Sequence, residues 1–352
     1  MKFCSLFSVV FIVSSGLCAF GQAKDPNAAE ILLRYKKSLL WSQSVSMRID
    51  ATIDVDANDP RKKFFPSKVD LIFRRGHDRA EWIGQRSIFD DTGNADKLDS
   101  KVIKRISTGK LFLDVPNTSP FAAFPRAAVV WRDYKELLEV TLDSKDFGGG
   151  PLLGRIHGIN HKGIAGLLGE SNDLRLHDKQ EILDGVSCYV LEGTTKYGKV
   201  TAWIAPEKGY NALKWVFECG RDNLFDDAPL SAKWPELQSA KEVFECVEME
   251  EVNDVNTVFV PKRARSTHTV KFANGTKLCS QSEYTVSDIR LNPDFESLGA
   301  FKIDLPDGTR VFVEECPGVR YIWQGGEIVP ADDPTFEEID KTIDELKKQA
   351  DN

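Results

Sequence analysis

DGVSCYVLEGTTKYGKVTAWIAPEKGYNALKW, from Asp184 to Trp215, divides into three strands by alternation alone. The first carries Tyr189 and Leu191 on one face. The second carries Thr201 and Trp203 on one face and Ala202 and Ile204 on the other. A proline-and-glycine turn, Pro206 to Gly209, leads to the third, where Leu213, Trp215 and Phe217 share a face opposite Lys214 and Glu218. Asp184-Gly185 opens the segment, and Asn274-Gly275 and Asp307-Gly308 sit between later alternating runs. Such pairs suit two-residue hairpins, whose central residues both need positive φ. They predict antiparallel hairpins and argue against a parallel α/β sheet.

Working outward, the chain reads as β almost throughout from Asp173. Upstream, residues 27–44 read as a helix with Ala28, Ile31, Leu32, Tyr35, Leu39 and Leu40 on one face. Asp25-Pro26 fits its start, with the proline in the first turn. SVSMRIDATIDVDAND, from Ser44, is β-branched and roughly alternating, and Val69, Leu71 and Phe73, then Ala80 and Trp82, alternate cleanly. Val102 to Ile106 and Leu111 to Val115 read as two further strands. Residues 121–140, with Ala122, Ala123, Ala127, Ala128, Trp131, Leu137 and Leu138, read as one or two helices interrupted by Pro125. A short helix is expected around His161 to Leu168, and a charged tail helix over 331–352.

The first residues, MKFCSLFSVVFIVSSGLCAFGQAK, have the layout of a secretory signal: Lys2, an apolar run from Phe3 to Val13, then Ala19-Phe20-Gly21 as a cleavage frame. The expected organisation is a signal peptide over 1–21, one domain over 25–330 with a helical insertion at about 120–170, and the tail. No later stretch approaches the about 18 apolar residues of a membrane span. Cleavage removes Lys2, one of 46 basic residues against 54 acidic, and moves the formal net charge from −8 to −9. An acidic chain without a basic stripe argues against nucleic acid as a partner. The hydrophobic fraction of 41% supports a packed core. Five cysteines follow the signal: Cys188, Cys219, Cys246, Cys279 and Cys316. They read either as small buried hydrophobes or as a set with one or two disulfides, and the odd number leaves at least one thiol over.

The opening segment resembles the LolA/LolB/RseB group of bacterial envelope proteins. Gly185 to Leu191 matches a G-x-x-C-Y-x-L strand, Trp203-Ile204 a following Trp-Ile strand, and Pro206 to Gly209 the turn after it. NTVFVPKR (Asn256 to Arg263) and YTVSDIRLNPDFESLGAFKIDLPDGT (Tyr284 to Thr309) are similar to the group's later strands. The likeness covers roughly residues 173–315, and earlier residues share only the order of elements. It implies an α+β fold: a mostly antiparallel, open β half-barrel covered on one side by a few helices. It also implies an exported, periplasmic or extracellular protein that handles lipids or lipoproteins. The group holds acyl chains or other apolar ligands in the concave face, or uses that face for protein binding. The chain departs from the group in its 120–170 region and in the segment after Glu315. Leu17 stands before Cys18 where a lipidation signal has a small residue.

No catalytic motif is present: there is no G-x-S-x-G, no Cys-x-x-Cys, and Gly166 to Ser171 lacks a P-loop lysine. His157 and His161 are four apart but lie in a glycine-rich loop without an acidic partner, so no metal or other cofactor is expected. The glutamates at 242, 245, 248, 250 and 251 read as a solvated strand face. A ligand site is therefore sought on the aromatic face, at Tyr189, Leu191, Trp203, Trp215, Phe217 and Phe272. The same residues suit a core packed under the helices of 27–44 and 121–140. The candidate partners are an acyl chain or lipidated protein, or another envelope protein.

Overall fold

The structure, a computed structural model, describes residues 26–55, 66–76, 79–88, 99–107, 112–116, 128–131, 150–156, 163–225, 228–253, 257–313, 319 and 321–331. The signal segment, the His157–His161 pair, Cys316 and the tail lie outside the described residues.

Helix α1, Ala28–Ser38, starts one residue after the expected start at 27 and two after Pro26. Asn27 is its cap: the Asn27 side-chain oxygen accepts from the Glu30 N–H at 3.0 Å, and Pro26 stands outside the helix. Glu30 in the first turn and Lys36 and Lys37 in the last oppose the helix dipole favourably. Ile31, Leu32 and Tyr35 are buried. The expected helix to residue 44 instead tightens into a 3-10 turn, Leu39–Gln43, which buries Trp41.

A strand meander follows: β1 Ser44–Val55, β2 Pro66–Gly76, β3 Arg79–Ile88, β4 Asp99–Ser107, β5 Phe112–Pro116 and β6 Ala128–Trp131. The last corrects the helical expectation for 121–140 at Ala128 and Trp131. These four residues read Ala-Val-Val-Trp, whose β-branched and aromatic side chains suit a strand, and the edge of β5 pairs them. The rest of that stretch is not described. A short helix, α2 Ile164–Glu170, lies close to where it was expected.

The second half supplies β7 Arg175–Leu176, β8 Glu181–Leu183, β9 Val186–Thr195, β10 Gly198–Ala205 and β11 Asn211–Gly220. A small ribbon follows, β12 Leu224–Phe225 with β13 Ala228–Pro229, then one helical turn, α3 Leu230–Lys233. Three long strands come next, β14 Leu237–Asn253, β15 Thr257–Phe272 and β16 Lys277–Leu291. The chain closes with β17 Arg310–Val313, β18 Tyr321–Gln324 and β19 Glu327–Pro330. Pro261 sits inside β15. Register shifts in β14 at Cys246/Glu248 and Glu248/Met249 face it and absorb the missing N–H.

The pairings place β7 and β8 on one edge of β9, then run β9-β10-β11-β14-β15-β16-β1-β2-β3-β4-β5-β6-β17-β18-β19. Every pair is antiparallel except β6 with β17. No pairing among the described residues joins the two ends, so the sheet is open. This is the expected α+β half-barrel. Asp184-Gly185 and Asn274-Gly275 form the hairpins β8–β9 and β15–β16. Asp307-Gly308 does not: it turns the chain ahead of β17, and Gly325-Gly326 makes the hairpin between β18 and β19.

Directly opposite residues share a face, so register sorts the core. Met47, Ile49 and Ala51 of β1 face Phe73, Leu71 and Val69 of β2, and all are buried. This concave face continues across Leu191, Ala202, Trp215 and Phe244. The core group there includes Ile31, Leu32 and Tyr35 of α1 and Ile164, Leu167 and Leu168 of α2. Each such side chain contributes about 1.5–3 kcal/mol when fully buried.

The convex face has a cover of its own. Arg74, Glu81 and Ile106 lie in line across β2, β3 and β4, and Ile106 packs with Ala300 and Phe301 from the segment after β16. Arg74 Nη1 meets Glu81 Oε2 at 2.7 Å, with side chains only 15% and 2% exposed. Arg74→Met removes the cation and strands a buried carboxylate. The expected loss is about 3–5 kcal/mol, seen as a lower urea midpoint; an unmoved midpoint would mean that the carboxylate is solvated.

Candidate functional site

The six aromatic-face residues do not stay together. Leu191, Trp215 and Phe217 are buried on the concave face, and Tyr189 and Phe272 are half-buried against the same core. Trp203 is on the other side. It lies opposite Val190 and Lys214, whereas its neighbours Ala202 and Ile204 lie opposite Leu191 and Tyr189. On the convex face its Nε1 donates to Glu181 Oε2 at 2.7 Å, and the Lys214 ammonium sits 5.6 Å from its ring centre.

The glutamates also separate. Glu245 pairs with Lys214, and Glu248 with Arg263. Glu242 is 1% exposed, on the concave face between Phe217 and His268, so it is not part of a solvated face.

Two openings border the helix-covered end of the sheet. The larger is a cleft of about 500 Å³, within the range of small-molecule sites. Its walls are Arg34, Lys37, Ser38, Leu40 and Trp41 from α1 and the 3-10 turn, Gly209, Tyr210 and Asn211 from the turn into β11, and Thr257, Val258 and Phe259 of β15. Leu40 is 54% exposed there. Tyr210 has φ 64°, an unfavourable backbone for a residue with a Cβ, and it follows Gly209 at φ 63°. That conformation sets the Tyr210 ring 4.8 Å from the Arg34 guanidinium, which also donates to its hydroxyl. The described lining carries two cations and no carboxylate, in a chain of net negative charge.

Behind this cleft, and sharing Trp41 and Asn211 with it, lies an inner cavity of about 20 Å³. Tyr35, Leu39, Leu152, Ala212, Trp215, Phe244, Met249 and Pro261 complete most of its wall. The Nε1–H groups of Trp41 and Trp215 are buried, and neither has an acceptor among the described residues. A buried donor left unpaired costs about 1–3 kcal/mol. A third depression, about 480 Å³ along Arg175 to Glu181, is lined mainly by charged side chains of both signs and offers an apolar body only Leu176.

Sequence reasoning found Trp215 but missed Leu40, Trp41, Tyr210, Val258 and Phe259. They are far apart in the chain, and the only local mark was Gly209-Tyr210, a turn glycine beside an aromatic that the fold leaves half-buried. Among the described residues, no group of three His, Cys, Asp and Glu side chains assembles a metal site. No helix among them is long and apolar enough to cross a membrane.

Of the two readings for the cysteines, the free one holds at Cys188, Cys219, Cys246 and Cys279. Burial pushes the Cys188 thiol up to about 11 and the Cys246 thiol to about 12, and it raises Cys219 as well. Thiolate is the reacting form, so these three are expected to resist alkylation at pH 8 until the protein unfolds. Mapping iodoacetamide adducts by mass spectrometry checks this, and rapid labelling of native Cys246 would contradict it.

No family model matches the chain, and no curated protein matches it. Among solved structures, the chain is similar to the crystal structure of the Mycobacterium tuberculosis lipoprotein LppX. The match has 11% identity over 74% of this chain and 94% of that one, with a TM-score of 0.26. A superposition that loose does not fix a common fold, and the architecture stands on strand pairing alone.

Proposed function

We propose that this chain is an exported, non-catalytic protein that binds a lipid-like, apolar ligand at the concave side of its open sheet. The observation that carries the reading is the cleft between α1 and the starts of β11 and β15. It is of ligand size and walled by Leu40, Trp41, Tyr210, Val258 and Phe259. The signal-like N-terminus and the LolA/LolB/RseB-like motifs support it. Within this reading, Trp215 borders the inner end of the site. Tyr189, Leu191, Phe217 and Phe272 back its wall, and Trp203 has no part in it.

Native mass spectrometry of the mature protein from its own envelope fraction tests the proposal. A bound mass that disappears on organic extraction is the expected result. A bare mass, with no uptake of offered lipid extract, would overturn it and favour an envelope protein as the partner.

A further inference from the structure

We propose that the outer face of α1 docks on an anionic lipid bilayer and holds the mouth of the cleft against it. The inference goes beyond the apolar-ligand reading and rests on it in one step, the supply of the ligand.

The face is defined by what α1 leaves uncovered. Ile31, Leu32 and Tyr35 turn to the core, which places Leu33, Lys36 and Lys37 on the opposite side. They stand at i, i+3 and i+4, so the two lysines flank the leucine. Leu40, at i+7, follows in the 3-10 turn. Leu33 and Leu40 are each 54% exposed, and Arg34, Lys36 and Lys37 are exposed too. Bare leucines with lysine stems beside them suit a helix lying at a lipid surface. The leucines enter the acyl boundary and the ammonium groups reach the headgroups.

Charge selects the kind of surface. The chain carries −8 overall, yet residues 28–43 carry three cations, Arg34, Lys36 and Lys37, against Glu30 alone. Arg34 holds Glu30, and neither lysine has an ion-pair partner among the described residues. A positive face on an acidic molecule fits anionic headgroups and turns the rest of the molecule away from them. Its place on the fold gives the same answer. Arg34, Lys37 and Leu40 also line the cleft, so a bilayer against α1 lies at the cleft mouth. An apolar ligand is scarce in water, and a cleft that opens at the bilayer takes it up without a passage through solvent.

The experiment floats the full mature chain with vesicles of phosphatidylcholine alone, and with vesicles that also hold about one third phosphatidylglycerol. Flotation is expected with the anionic vesicles only, and is expected to be lost at high salt. Lys36→Gln and Lys37→Gln are each expected to weaken it about fivefold, the share of one cation near an anionic surface. Leu33→Ser is expected to weaken it as well, and all three should leave the thermal midpoint in place. Equal flotation with neutral vesicles, or flotation indifferent to all three substitutions, would overturn the docking face. So would a dimer by light scattering that Leu33→Ser dissociates, which would assign the face to a second copy. Uptake of monomeric methyl decanoate, measured alongside, separates the two readings. Uptake without flotation overturns the docking face and leaves the ligand reading standing; flotation that needs Leu33 and the lysines, without uptake, upholds the face and removes the ligand.

Discussion

Gly84→Ala is expected to leave the protein unable to assemble its sheet under ordinary conditions. Gly84 lies in β3 directly opposite Leu71 of β2. A Cβ built there would stand 2.2 Å from the Asp70 carbonyl oxygen and 2.5 Å from Leu71 Cα. Both are backbone atoms of a paired strand, so no side-chain rotation relieves the clash. β2 and β3 must part, and they adjoin β1 in the middle of the sheet. Overpacking a core costs about 1–3 kcal/mol where side chains can give, and here the effect exceeds that range. Gly166→Ala is the control. Gly166 is in α2 with nothing within 4 Å of its Cβ position, and alanine there should stabilise by up to about 1 kcal/mol. Urea unfolding of both variants checks the pair. A wild-type midpoint for Gly84→Ala would mean that β2 and β3 are not paired in this register.

Trp215→Ala is the second large effect. The ring is 1% exposed, stacks on Phe244 at 5.5 Å between centres, and borders the existing inner cavity. Truncation merges the vacated space with that cavity, and the expected loss is about 3–5 kcal/mol. Trp215→Phe keeps the stacking and removes a donor without an acceptor among the described residues, so it should lose under about 1.5 kcal/mol. Trp203→Ala, on the convex face, should cost far less than Trp215→Ala. Thermal unfolding of the three variants ranks them. Equal losses at 203 and 215 would put both rings on one face and refute the register of β9, β10 and β11.

That register marks the limit of what the sequence discloses. Alternation inside each strand was readable: Tyr189 with Leu191, Ala202 with Ile204, and Trp215 with Phe217 do share faces. Which face of β10 joins which face of β11 was not, because it depends on the turn from Pro206 to Tyr210 and on the shift between Trp203 and Ile204. Trp203 was grouped with Trp215 for want of that information. The two true hairpins were legible because their backbones demand special residues: Asp184 has φ 48° and Gly185 φ 84°. Asp307-Gly308 carries the same signature but meets no partner strand across the turn. The alanines around Ala128 gave 121–140 a helical look, although Val129, Val130 and Trp131 suit the strand that pairs with β5 and β17. Glu242 looked like its neighbours until pairing turned it inward. The cleft was the least legible feature, since it gathers side chains from three distant segments and no segment marks its partners.

The pairing of β1 with β16 also bears on time. Val45 lies opposite Leu291, so one of the first strands to be synthesised waits for one of the last long ones. Until then β1 can pair only with β2, and its other edge stays open to any strand that meets it. Contacts so far apart in sequence slow folding and lengthen the exposure of unpaired edges. A nascent chain of this protein therefore stays incomplete, and dependent on being kept apart from its neighbours, until nearly all of it has been made.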